Sequence, residues 1–247
     1  METGVLSDQY RGLSMRKCLA RVVLAFSILF IGMADAADYD KGLKAAKSGD
    51  FETALLEWVP LAEQGHIQAQ ANLGYMYSHS QGVGQDFKAA AMWYTKAAEQ
   101  GHAIAQNNLA GFYWSGKGVS KNNISALKWH TKAAIQGVAS SQYSLGWSYE
   151  HGRGVVKNYK TALSWHTKAA KQGHSNSQLS LGMMYYDGRG VEVDDLKARM
   201  WWNLGAINGD EVEARVLEIV LINMSTEGVL IAQEMSTRCL NSGYTDC

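Results

Sequence analysis

Several residues of the chain have types and spacings that could do chemistry. Gly111-Phe-Tyr-Trp-Ser-Gly116-Lys117 matches most of G-x-x-x-x-G-K, in which backbone amides cradle phosphates and the lysine reaches them. Gly118 stands where a magnesium-binding Ser or Thr would be, and no strand precedes the stretch, so phosphate binding is not expected. Ser125-x-x-Lys128 matches the S-x-x-K of penicillin-recognising serine enzymes, but the companion S-D-N and K-T-G motifs are absent. The seven histidines form no H-x-x-x-H, H-E-x-x-H or Cys/His cluster, so neither a metal nor another cofactor is expected. Charge offers another kind of chemistry. Lys117, Arg153 and Arg189 share one position between paired glycines, and Lys121 and Lys157 share a second. Stacked, they would form a basic edge for an acidic segment or glycan, although exposed charges contribute little singly.

These residues recur because the chain repeats. Trp93-Tyr-Thr-Lys-Ala-Ala-Glu-Gln-Gly101 returns nearly unchanged from Trp129 and Trp165, and more loosely from Trp201, a period of 36 residues. A fixed period of that length marks stacked helical or solenoid units. Within a unit, Ala105, Leu109 and Tyr113 fall at i, i+4 and i+8, the stripe of a first helix. The residue after the Leu is Gly74, Ala110, Gly146 or Gly182, small enough for close helix approach. A Gly-x-Gly-Val turn follows, then Asp86, Asn122, Asn158 or Asp194, all good N-caps for a second helix. That helix carries Ala126, Trp129 and Ala133 on one face and ends at a capping Gly, here Gly137. Each unit is a helical hairpin that must stack to bury its apolar face.

Composition agrees. Twenty-three basic and 23 acidic residues cancel, which argues against a nucleic-acid partner. A single Pro and 47 % hydrophobic residues suit an all-α chain with an ample core. Arg16, Lys17 and Arg21 precede an apolar run, Val22 to Met33, and Ala34-Asp-Ala36 follows. That reads as a cleaved export signal, residues 1–36, with Met15 an alternative start. The run is too short for a stable membrane span. The mature chain would be periplasmic or secreted and keep two cysteines, Cys239 and Cys247. Ser225 caps a last helix to about Leu240 and Asn241-Ser-Gly243 turns the chain, so a Cys239–Cys247 disulfide is expected in an oxidising compartment.

The recurrent A-x-x-x-L-G-x-x-Y, G-x-G-V and D/N-x-x-x-A-x-x-W-x-x-x-A-A-x-x-G resemble the Sel-1-like repeat family, close kin of tetratricopeptide repeats. The resemblance implies an all-α, right-handed α-solenoid of stacked helical hairpins. Four repeats would span 67–210, after a degenerate leading hairpin at 37–66 in which Trp58 and Pro60 look off pattern. Capping helices with the Cys pair would fill 211–247. It further implies an adaptor that binds a protein or peptide rather than an enzyme; the alternatives are a cell-wall or β-lactam-type hydrolase and a module for anionic glycan or peptidoglycan. By analogy with tetratricopeptide hairpins, first helices line the concave side. The positions that face inward vary between units, and Tyr75, Asn107, Trp114, Tyr143, Trp147, Met183 and Tyr186 are the expected partner-binding residues.

Overall fold

The computed structural model describes residues 37–208 and 225–247; the expected export signal, Gly209 and the start of the C-terminal cap lie outside the described residues. The described chain is helical: α1 (Tyr39–Lys47), α2 (Phe51–Glu63), α3 (Ile67–His79), α4 (Phe87–Glu99), α5 (Ala103–Ser115), α6 (Asn123–Ile135), α7 (Ala139–His151), α8 (Tyr159–Ala170), α9 (Ser175–Asp187), α10 (Asp195–Asn208) and α11 (Thr226–Asn241). There are two compact units, with the boundary after Pro60, inside α2. In the second unit each helix packs on the next from α3 to α11, so α3–α4, α5–α6, α7–α8 and α9–α10 form four consecutive hairpins.

Local signals set the helix ends. Asp86 caps α4 by accepting from the amides of Lys88 and Ala89, and Asn122 and Asn158 cap α6 and α8 from the same position. The amides of Asp86, Asn122, Asn158 and Asp194 reach back to the carbonyls of Tyr77, Tyr113, Tyr149 and Tyr185, which closes each turn. The first helices use histidine caps: Nδ1 of His66, His102 and His174 accepts from the amide of Ala69, Ala105 and Ser177. Val138 holds that position on α7 and supplies no side-chain bond. The second glycine of each paired turn is a point of contact between repeats. A Cβ at Gly118 would collide with the carbonyl of Phe87, and one at Gly190 with the backbone of Tyr159.

The core depends on a ring laid against helix backbone. A Cβ on Gly74 would stand 2.6 Å from the Tyr94 ring, on Gly146 2.7 Å from His166, and on Gly182 2.2 Å from Trp202. Those rings are almost fully buried. The preceding tryptophans Trp129 and Trp165 are only half-buried, with Lys132 and Lys168 ammoniums 4.4 and 4.2 Å over their rings. Ala97, Ala133 and Ala169 are fully buried beneath the second helices. A glutamine pair ties the end of a second helix to the first helix of the same hairpin. Gln100 donates to Gln70 at 2.8 Å, Gln136 to Gln106 at 2.8 Å and Gln172 to Gln142 at 2.7 Å. The accepting glutamines are buried and donate in turn to the carbonyls of Ala62, Ala98 and Ala134, so no buried amide is left unpaired there.

In the first unit, Trp58 proves to be on pattern in a different column. It sits on Gly42, whose Cβ would stand 2.5 Å from the indole, and so occupies the place of Tyr94, His166 and Trp202. α2 remains a helix of 13 residues with Pro60 inside it. At the other end, Ser225 caps α11 and Cys239 is bonded to Cys247. The buried Cys239 packs with Leu181, Met200 and Leu204, which seals the last hairpin.

Gly146→Ala should destabilise the chain by about 1–2 kcal/mol, since overpacking against His166 outweighs the gain in helix propensity. Gly111→Ala, whose Cβ meets nothing within 4 Å, should instead stabilise it by up to about 1 kcal/mol. Thermal denaturation of both variants distinguishes the two kinds of helical glycine.

Candidate functional site

A cleft of about 780 Å³ opens along α5, between α3 and α4 on one side and α6 and α7 on the other. Its lining includes Asn107, Trp114, Tyr143 and Trp147, all expected binding residues, and Lys117 from the expected basic edge. Tyr75, Met183 and Tyr186 are exposed on α3 and α9 and do not line it. Tyr75 stacks on His79, ring centres 3.9 Å apart, and Tyr186 leans on Trp202 at 5.6 Å.

One departure from the repeat shapes the cleft's floor. Where the other repeats read Gly74-Tyr75, Gly146-Trp147 and Gly182-Met183, the second reads Ala110-Gly111. Ala110 carries the Cβ that Gly74, Gly146 and Gly182 lack, so the His130 ring cannot lie on α5 as His166 lies on α7. His130 Nδ1 instead meets Ser141 Oγ at 3.2 Å, and the ring lines the cleft. Ser141 gives its one hydroxyl proton to Asn107 Oδ1 at 2.8 Å, and Ser140 donates to the same oxygen at 3.1 Å. Ser141 must then accept from His130, which puts the imidazole proton on Nδ1 and leaves Nε2 as the lone-pair nitrogen. Burial pushes the His130 pKa down to about 4, so the ring is neutral near pH 7. The second departure, Gly111, removes a large side chain from the middle of the cleft.

Aromatic rings form the walls. Trp114 and Trp147 meet edge to face at 5.4 Å, and Phe112 meets Phe87 and Tyr94 the same way at 5.9 and 5.6 Å. Tyr143 stacks on His174 at 4.9 Å.

The three expected edge cations have different surroundings. Lys117 Nζ lies 5.1 Å over Phe87 and the Arg153 guanidinium 6.0 Å over Trp147, both rings of the cleft. Arg189 is paired with Asp187 at 2.7 Å and with Glu150 at 3.1 Å. The His166 imidazole beside Glu150 holds its carboxyl below the usual carboxylate range, against the opposing cost of burial.

The remaining motifs have structural roles. Gly111 to Ser115 are helical and Gly116 is the left-handed C-cap of α5, so their amides are spent in the helix and form no phosphate cradle. The Ser125 amide is bonded to Asn122, and neither Ser125 nor Lys128 lines the cleft. Among the described residues, no group of three or more His, Cys, Asp or Glu could hold a metal ion, and no helix is long and apolar enough to cross a membrane.

The model of the Sel1 repeat matches residues 67–102, 103–138, 139–174 and 175–210. Among solved structures, a Sel1 repeat protein from Oxalobacter formigenes is 33% identical, with a TM-score of 0.69, covering 81% of this chain and 85% of its own. A protective antigen of uropathogenic Escherichia coli strains, which displays an SLR fold, is 27% identical with a TM-score of 0.51; the match covers 85% of this chain and 57% of that one. No curated protein matches the sequence.

His130 gives the site a pH signature. Its folded pKa lies below its unfolded value, so the native state resists protonation. Its contribution is full above about pH 6.5 and is lost as pH falls towards 4, a change of about 3 kcal/mol. Burial lowers the pKa of His102 and His174 too, so the whole chain loses more than this. His130→Asn keeps a donor near the Nδ1 position and should remove the His130 part of the slope. Denaturant unfolding of both proteins between pH 7 and 4 measures the difference.

Proposed function

This chain belongs to the Sel1 repeat family, and from that premise we propose that it is an exported, non-enzymatic scaffold that binds a peptide segment of a partner protein in the cleft along α5. One observation carries this reading: Asn107, Trp114, Tyr143 and Trp147 come from positions that vary between repeats and line one cleft. The Leu and Ala columns of the core are meanwhile kept, as at Leu73, Leu109, Leu145 and Leu181. A scaffold that repeats its core and varies one face fits a ligand that does not repeat. Half-buried tryptophan and tyrosine provide large contact area with little rotamer entropy to lose, which suits them as anchors. The pairing of Cys239 with Cys247 fits an oxidising compartment and so supports export. Ser125 and Lys128 lie away from the cleft, which weighs against a penicillin-type hydrolase.

Selection of the purified chain against a random displayed peptide library tests the proposal. Enriched peptides should bind when resynthesised. Trp147→Ala and Trp114→Ala should each weaken them by more than about 1 kcal/mol, roughly fivefold or more, while lowering the melting temperature less than Leu145→Ala does. Failure of any peptide to enrich, together with binding to peptidoglycan sacculi, would favour the glycan-binding alternative. Penicillin labelling lost on Ser125→Ala would favour the hydrolase.

A further inference from the structure

The chemistry of the cleft specifies more than a peptide. Its turn end carries two cations, Lys117 over Phe87 and Arg153 over Trp147, and among the described residues no acidic side chain lines it. The neighbouring repeat shows the opposite arrangement, with Arg189 neutralised by Glu150 and Asp187. Lys117 and Arg153 are both exposed beside the aromatic walls, and among the described residues no ion pair neutralises either of them, so electrostatic complementarity selects an anion there. Further along α5, Gly111 leaves a gap in a helix interior that no neighbouring atom fills. Gly in a helix interior is unfavourable relative to Ala, and here nothing presses on it. The position is open where the other repeats carry Tyr75, Trp147 and Met183.

We infer that the cleft takes an extended peptide segment in which one large apolar side chain seats over Gly111 and a carboxylate about two residues along reaches Lys117 and Arg153. The spacing follows from the helix: Gly111 to Ser115 rises about 6 Å, or about two residues of extended chain. The amide of Asn107 and the neutral imidazole of His130 face the other end, where a peptide backbone offers both donors and acceptors. The carboxylate can come from an Asp or Glu side chain or from a free C-terminus.

This rests on the peptide reading above, and one titration series separates the two. Acetylated alanine-based hexapeptides with a single Leu or Phe are measured by calorimetry in three forms: Glu two residues after the anchor with an amidated end, Gln in its place, and a free C-terminal carboxylate at that position. At least one carboxylate form should bind ten times or more tighter than the Gln form, and the tighter of the two identifies the source. The double variant Lys117→Glu, Arg153→Glu should abolish that preference, and Lys132→Glu with Lys168→Glu, the same charge change away from the cleft, should retain it. Gly111→Leu should abolish binding of every form without lowering the melting temperature. Equal binding of the Glu and Gln peptides, lost with Gly111→Leu, overturns the anionic specificity and leaves the peptide site standing. No binding by any peptide overturns both, as does binding of an anionic peptidoglycan fragment alone that Gly111→Leu removes.

Discussion

The stack depends on the contact between an aromatic or imidazole ring and a helix backbone that carries no Cβ. Tyr94, His166 and Trp202 lie on Gly74, Gly146 and Gly182, and Trp58 lies on Gly42. A glycine in a helix interior costs about 1 kcal/mol relative to Ala, and that cost is offset by burying a ring that is nearly inaccessible to water. The glutamine pairs between the two helices of a hairpin are a separate tie, since Gln136 and Gln106 form theirs in the second repeat as well. Ring type is free to change between Tyr, His and Trp because the constraint is one of shape.

The second repeat departs from this rule, and the cleft lies there. Ala110 keeps His130 off the α5 backbone and on Ser141, while Gly111 leaves the adjoining position empty. A one-residue exchange of the small position therefore does two things. It adds a neutral histidine, tied through Ser141 to Asn107, to the cleft wall, and it removes a bulky side chain from the middle. The packing in the neighbouring repeats stays intact. The site is a local relaxation of a repeated rule, placed where rings from three hairpins converge.

Much of this was legible in the sequence because repetition makes packing visible. The hairpins, the Asp and Asn caps and the terminal disulfide follow from periodicity, cap chemistry and the placement of the two cysteines, while Asn107, Trp114, Tyr143 and Trp147, which line the cleft, were picked out by analogy with tetratricopeptide hairpins. Other features were less legible. The glycine after each Leu announced close packing but not which residue pressed on it, and the repeated Trp drew attention from its more deeply buried neighbour. Trp58 looked misplaced for that reason: it follows the register of the buried ring, with a turn four residues shorter before it. The charges at Lys117, Arg153 and Arg189 occupy equivalent positions, but Glu150 neutralises only one of them because only that repeat offers a carboxylate there. Tyr75, Met183 and Tyr186 hold repeat positions equivalent to those of Trp147 and Trp114 yet do not line the cleft, since nothing in a repeat pattern says where a groove deepens.

The most direct test of the account is a crystal structure of Ala110→Gly. With the Cβ gone, the His130 ring should move onto residue 110 in van der Waals contact, roughly 4 Å, as His166 lies on Gly146. It should leave Ser141 Oγ and withdraw from the cleft wall. If His130 instead keeps its hydrogen bond to Ser141 and the cleft is unchanged, the ring-on-glycine contact does not govern the second repeat, and the cleft must have another cause.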